Sequence, residues 1–179
     1  APRTILQRQG DRLAAPGVDP LMATELEVYV LRESYAEAAG KHSVDLAPAG
    51  RYNEDYQLLQ GTKLESLYRR LRNELSAAGV PIEFSKGEAH PGQHEINIHY
   101  AEALESADRA ALFTHGAKEI AWQEGRAITF MAKPYQAWTG SSGHVHVSLR
   151  DRETGRSAVP CTDEAGCREL SDPMRWFLG

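Results

Sequence analysis

The sequence predicts an α+β fold, a curved, mainly antiparallel sheet with helices packed on its apolar face. Three stretches, "ELEVYVL" (25–31), "QHEINIHYA" (93–101) and "HVHVSL" (144–149), alternate apolar and polar residues as strands with one buried face do. Two others, 62–79 and 102–124, repeat apolar residues at helical spacing. A length of 179 residues, 41% hydrophobic and 25% charged, suits one globular domain with a sizeable core.

Residues 2–15 predict a helix with Ile5, Leu6 and Leu13 inward, ended by Pro16-Gly17. In the strand that follows, Leu26, Val28 and Val30 point one way and Glu25 and Glu27 the other. Two carboxylates side by side repel unless water screens them or a cation neutralises them. Residues 34–61, rich in Gly, Pro, Asn and Tyr, predict a long loop with a short helical turn near Tyr56–Gln60. Leu64, Leu67, Tyr68, Leu71 and Leu75 then mark the helix 62–79, with Thr62 and Glu65 as a capping box and Gly79 as its close. "VPIEFS" (80–85) reads as a strand and "GEAHPG" as a turn. The next strand, 93–101, shows Ile96, Ile98 and Tyr100 on one face and Glu95, Asn97 and His99 on the other. Helix 102–124 turns Leu104, Ala107, Ala111, Ala117, Ile120 and Ala121 to the core. "AITFMAKPY" (127–135) is a strand closed by Pro134, "QAWTGSSG" a turn, and the strand 144–149 sets His144, His146 and Ser148 opposite Val145, Val147 and Leu149. A last helix starts near Ser171.

Net charge is −5 with no long basic run, so no footprint for nucleic acid or an anionic membrane stands out. No apolar run is long enough to span a bilayer, and "APRTILQRQG" lacks the apolar core of a signal peptide, so a cytoplasmic protein is expected. Cys161 and Cys167, five residues apart in a polar loop, match neither a metal pair nor a disulfide framework and are expected as free thiols. The start at Ala1 and the stop at "MRWFLG" suggest a processed chain or a piece of a longer one.

One polar strand face alone is what any half-exposed strand shows. Together, Glu25 and Glu27, Glu88 and Glu95 at either end of a Pro-Gly turn, and the histidine strand offer four carboxylates and an imidazole. That set suits Mg²⁺ or Mn²⁺ better than zinc. The turn "TGSSG" before His144 has backbone N–H groups that can approach an anion, and Lys133 in "MAKP" is placed either to meet a phosphate or to stay solvated.

Four segments in order, "TELEVYVL", "EAHPGQHEIN", "TFMAKP" and "GSSGHVHVSL", resemble the glutamine synthetases and the glutamine synthetase-like ligases that join glutamate to amines. The resemblance spans nearly the whole chain. It implies that Glu27, Glu88 and Glu95 hold the metal that positions the γ-carboxylate of L-glutamate. It assigns Glu25 and His144 to a second metal serving the ATP phosphates. Glu83, His146 and Ser148 match nucleotide contacts, and Thr139 and Gly140 the glutamate-contacting turn. The implied reaction has ATP, as co-substrate, phosphorylate the γ-carboxylate, after which ammonia or another amine attacks. A two-metal clamp suits such a transfer because it cancels charge and aligns the groups.

This chain departs from the family pattern at Thr139, where many members have Asn, and at Ser142, where the usual signature has a small Gly. The family also has a β-rich N-terminal domain, a longer catalytic domain with one further metal glutamate, and ring-shaped homo-oligomers. Residues 1–179 are therefore expected to be part of a catalytic domain, inactive alone. Glu25 and His144 are expected to lack a third protein ligand, which makes their site the weaker one. Two readings stand beside this one: a metal-dependent hydrolase of the His-x-His type, and a metal- or nucleotide-binding module without turnover.

Overall fold

A computed structural model describes residues 1–159 and 172–178. The elements are α1 (Pro2–Ala14), β1 (Val18–Val30), α2 (Tyr35–Gly40), α3 (Leu58–Lys63), α4 (Glu65–Ala77), β2 (Ile82–Gly87), β3 (Gln93–Glu102), α5 (Ala103–Gln123), β4 (Ile128–Thr129), β5 (Gly143–Asp151) and α6 (Asp172–Leu178). The strands form one sheet in the order β2-β3-β1-β4, with β5 also paired to β1. The β1–β4 and β2–β3 pairs are antiparallel. The chain clusters into two compact units, and the expected α+β architecture holds.

The larger unit, residues 24–99 and 108–145, has a continuous core. Val28 and Val30 of β1 and Ile96 and Ile98 of β3 meet Leu67, Tyr68, Leu71 and Leu75 of α4 and Phe113, Ala117, Ile120 and Ala121 of α5. The period of two on the strands and the 3.6-residue period on the helices bring these side chains to one layer. Helix α4 ends in a Schellman turn: Gly79 takes φ +90, its N–H bonds Ser76 O, and the Val80 N–H bonds Leu75 O. In the smaller unit, Asp19 accepts from Arg152 at 2.5 Å and Arg150 at 3.4 Å, and Arg152 N–H bonds Gly17 O.

Several local expectations are corrected. The loop 34–61 contains α2, capped by Ser34 and Glu37 in a reciprocal box, while the helical turn expected near Tyr56–Gln60 is present as α3, shifted to Leu58–Lys63. Thr62 lies inside α3 and donates to Leu58 O, so α4 begins at Glu65 without the predicted cap. Helix α1 buries no residue and leaves Ile5 63% exposed, because its apolar positions are too few to form a stripe. On α5 the buried face runs through Phe113 and Ala117, while Ala107 and Ala111 are exposed. Tyr100 is exposed, and Val145 and Val147 of β5 are 60% and 37% exposed. Strand β4 has two residues instead of nine, because beyond it Met131 N–H bonds the Thr129 hydroxyl and Ala132 O accepts from Ser141 N–H. Cys161, Cys167 and Ser171 lie outside the described residues.

Candidate functional site

Strand alternation puts Glu25, Glu27 and Tyr29 of β1 on one face, and Gln93 and Glu95 of β3 on one face likewise. His144 stands at the start of β5, and Glu88 follows β2 directly. Ligand atoms of Glu27, Glu88 and Glu95 lie within 4.8 Å of one another, and so do those of Glu25, Glu95 and His144. Glu95 belongs to both groups. Its carboxylate thus lies beside Glu25 and His144, where no third donor was expected. The two groups contain carboxylates and one imidazole and no thiolate, the donor set a hard divalent cation such as Mg²⁺ or Mn²⁺ takes.

The charges are held by named partners. Burial raises the Glu95 carboxyl above its ordinary range; Lys86 opposes this, and Glu25 and Glu88 add to it. His144 Nδ1 lies 2.9 Å from Glu25 Oε2, and that hydrogen bond holds the imidazole above its usual value. Lys86 is in register with Glu95 across the β2–β3 ladder and donates to Glu88.

Glu27 is gripped from two directions. Gln93 Nε2 donates to its Oε2 at 2.9 Å, and the Ser142 hydroxyl donates to its Oε1. The same Gln93 amide donates to Gly140 O at 3.0 Å and Ser141 Oγ at 3.1 Å. Tyr29 is fully buried, and burial, with Glu27 close by, pushes its phenol up to about 12. It therefore stays a neutral donor, and it bonds Thr139 O at 2.6 Å. Its ring packs on His90 and Trp138, with centroids at 5.4 and 4.8 Å, which closes the 135–142 turn over this part of the strand. Gly92, at φ +72, lets the chain pass where a Cβ would come within 2.8 Å of Val30 O, and buried Glu54 accepts its N–H at 2.8 Å.

Of the sequence-predicted residues, the structure brings Glu25, Glu27, Glu88, Glu95 and His144 together, and it bonds the carbonyls of Thr139 and Gly140 to Tyr29 and Gln93. Glu83 is exposed at an irregularity in the β2–β3 register and is in neither donor group. His146 and Ser148 belong to the smaller unit and to neither group. Lys133 donates to Trp138 O at 2.9 Å, so it braces the turn. Sequence reasoning gave no role to Gln93, Lys86 or Tyr29; Gln93 carried a signal, its place in the "PGQHE" run.

The family described as "Glutamine synthetase, catalytic domain" matches residues 1–179. The chain belongs to the glutamine synthetase catalytic-domain family. It is 48% identical over 178 residues to the gamma-glutamylethanolamide synthetase of Streptomyces coelicolor, covering 99% of this chain and 37% of that protein. It is 36% identical over 151 residues to a glutamate–isopropylamine ligase of a Pseudomonas species, covering 84% of this chain and 33% of that one. Among solved structures, a GmaS/ADP complex superposes with a TM-score of 0.79 at 25% identity, over 96% of this chain and 37% of its own. The chain thus spans about a third of the length of the relatives it matches. No helix among the described residues is long and apolar enough to cross a membrane.

Proposed function

We propose that this chain is the metal-binding part of an ATP-dependent ligase that joins the γ-carboxylate of L-glutamate to an amine through a γ-glutamyl phosphate. One observation carries the reading: two donor groups on neighbouring strands share a single buried carboxylate, Glu95. Glu27, Glu88 and Glu95 would hold one Mg²⁺ or Mn²⁺, and Glu25, Glu95 and His144 the other. When bound, such a pair neutralises the phosphates and the γ-carboxylate so that two anions can approach.

The chain's own residues prepare that approach. Gln93 and Ser142 hold both oxygens of Glu27, so its carboxylate keeps one orientation. Tyr29 and Gln93 fix the turn at Thr139 and Gly140, which serves as the glutamate contact. Glu83, His146 and Ser148 are assigned to the nucleotide on the resemblance alone; the ADP named in the GmaS complex supports a nucleotide as co-substrate. The relatives named for ethanolamine and isopropylamine support an acceptor larger than ammonia. The span of about a third of the relatives supports reading residues 1–179 as part of a catalytic domain, with turnover and ring assembly belonging to a longer parent in the cytoplasm.

The test is phosphate release from ATP by the full-length parent with Mn²⁺, glutamate and, in turn, ethanolamine, isopropylamine and ammonia. Release that needs both glutamate and an organic amine is the expected result, with Glu27→Gln lowering it at least a hundredfold, about 2.7 kcal/mol in the barrier. A zinc-dependent hydrolysis that needs no ATP would overturn the reading, and a preference for ammonia would overturn its acceptor.

A further inference from the structure

The geometry points to Lys86 as a tethered cation that competes with the divalent metal for Glu88 and Glu95 and withdraws to Asp55 and the Tyr56 ring when the metal enters. This rests on the metal reading proposed above. Four groups face the Lys86 ammonium. It donates to Glu88 and lies 3.9 Å from Glu95, two members of the first donor group. Asp55 is 4.0 Å away, and the centroid of the Tyr56 ring 5.1 Å. Asp55 and Tyr56 are in neither donor group.

An ammonium and a divalent cation cannot both take the same carboxylate oxygens at contact distance, since two cations there repel. The second pair of partners gives the ammonium somewhere to go. Asp55 supplies a charge and Tyr56 the face of a ring. Tyr56 has φ +52, a left-handed conformation that a bulky side chain rarely adopts. There is room to move, because Lys86 and Tyr56 both line a cavity of about 310 Å³. The strand pairing fixes the tether: Lys86 stands opposite Glu95, which keeps its ammonium within reach of the cluster. Lys86 thus sets metal affinity from within the site and quiets the repulsion among Glu88, Glu95 and Glu27.

Isothermal calorimetry with MnCl₂ at fixed ionic strength, on the wild-type chain, Lys86→Met, Lys86→Arg and Asp55→Asn, tests this, with circular dichroism to verify folding. Lys86→Met should bind Mn²⁺ about three- to tenfold tighter, since a partly screened competing ion pair has been removed. Lys86→Arg keeps the cation and should stay near wild type, and Asp55→Asn, which removes the retreat, should bind more weakly. Folded Lys86→Met with unchanged or weaker affinity overturns the inference. If that variant fails to fold, Asp55→Asn decides, and unchanged or tighter binding there overturns it. Absence of Mn²⁺ binding by every chain overturns the metal reading, and the inference with it.

Discussion

Gln93, 1% exposed, spends one amide nitrogen on Glu27, Gly140 and Ser141. Replacing it with leucine takes a donor from the half-buried Glu27 carboxylate and from the Gly140 carbonyl. Such a loss costs about 1–3 kcal/mol. Urea unfolding should show it as a lower midpoint, and Mn²⁺ binding should weaken because Glu27 is no longer held; an unchanged midpoint would argue that the amide is idle. The glutamine itself was visible in the sequence, but its role was not, because its partners lie 66 and 47 residues away along the chain. The glutamates and His144 were legible for the opposite reason. A charged residue at every second position of an apolar strand is a local pattern, and it announces a face that needs counter-charge. Lys86 had no such pattern; only the β2–β3 register places it opposite Glu95.

Among the elements, α4 was the clearest in the sequence and is deeply seated, with Leu67, Tyr68, Leu71 and Leu75 buried. Leu71→Ala removes a side chain that is 1% exposed and should cost about 2–5 kcal/mol, whereas Ala111→Lys, on the exposed face of α5, should stay within about 0.5 kcal/mol. Equal effects in a urea titration would mean the packing is wrongly described. The partly misread face of α5 has a simple source: its many alanines fit either face, and buried Phe113, with Trp122 exposed, shows which is inward. Helix α2 was readable in "SYAE", where Ser34 and Glu37 have capping-box spacing, but Gly and Pro around it hid the signal. The two-residue β4 was not readable, since its neighbours' bonds go to the 139–142 turn and to a threonine hydroxyl.

Over the whole molecule, acid should destabilise. Burial pushes the Glu33 carboxyl up, but the Lys41 ammonium and the Ala47 N–H outweigh it and hold the group below its ordinary value. Asp19, Glu37, Glu74 and Asp151 are lowered as well, through hydrogen bonds from Arg152, Ser34, Arg70 and Thr154 respectively. The unfolded chain therefore binds these protons first, and the stability they contribute is present near neutrality and lost below about pH 5, as pH falls through the folded values. Glu54 and Glu95, raised by burial, act in the other direction and offset part of the loss. Urea midpoints measured from pH 6 to 3 should fall, and fall less steeply in Glu33→Gln; identical slopes would remove Glu33 from the account. At this scale, local periodicity was enough to establish an α+β chain with a carboxylate-bearing strand face, because hydrophobic burial imposes one repeat on strands and another on helices. Only the folded chain decided that Glu95 serves both donor groups, that Gln93 and Ser142 orient Glu27, and that Lys86 stands among the acids. Each of these depends on strand register and on contacts between distant segments, and periodicity along the chain carries no information about either.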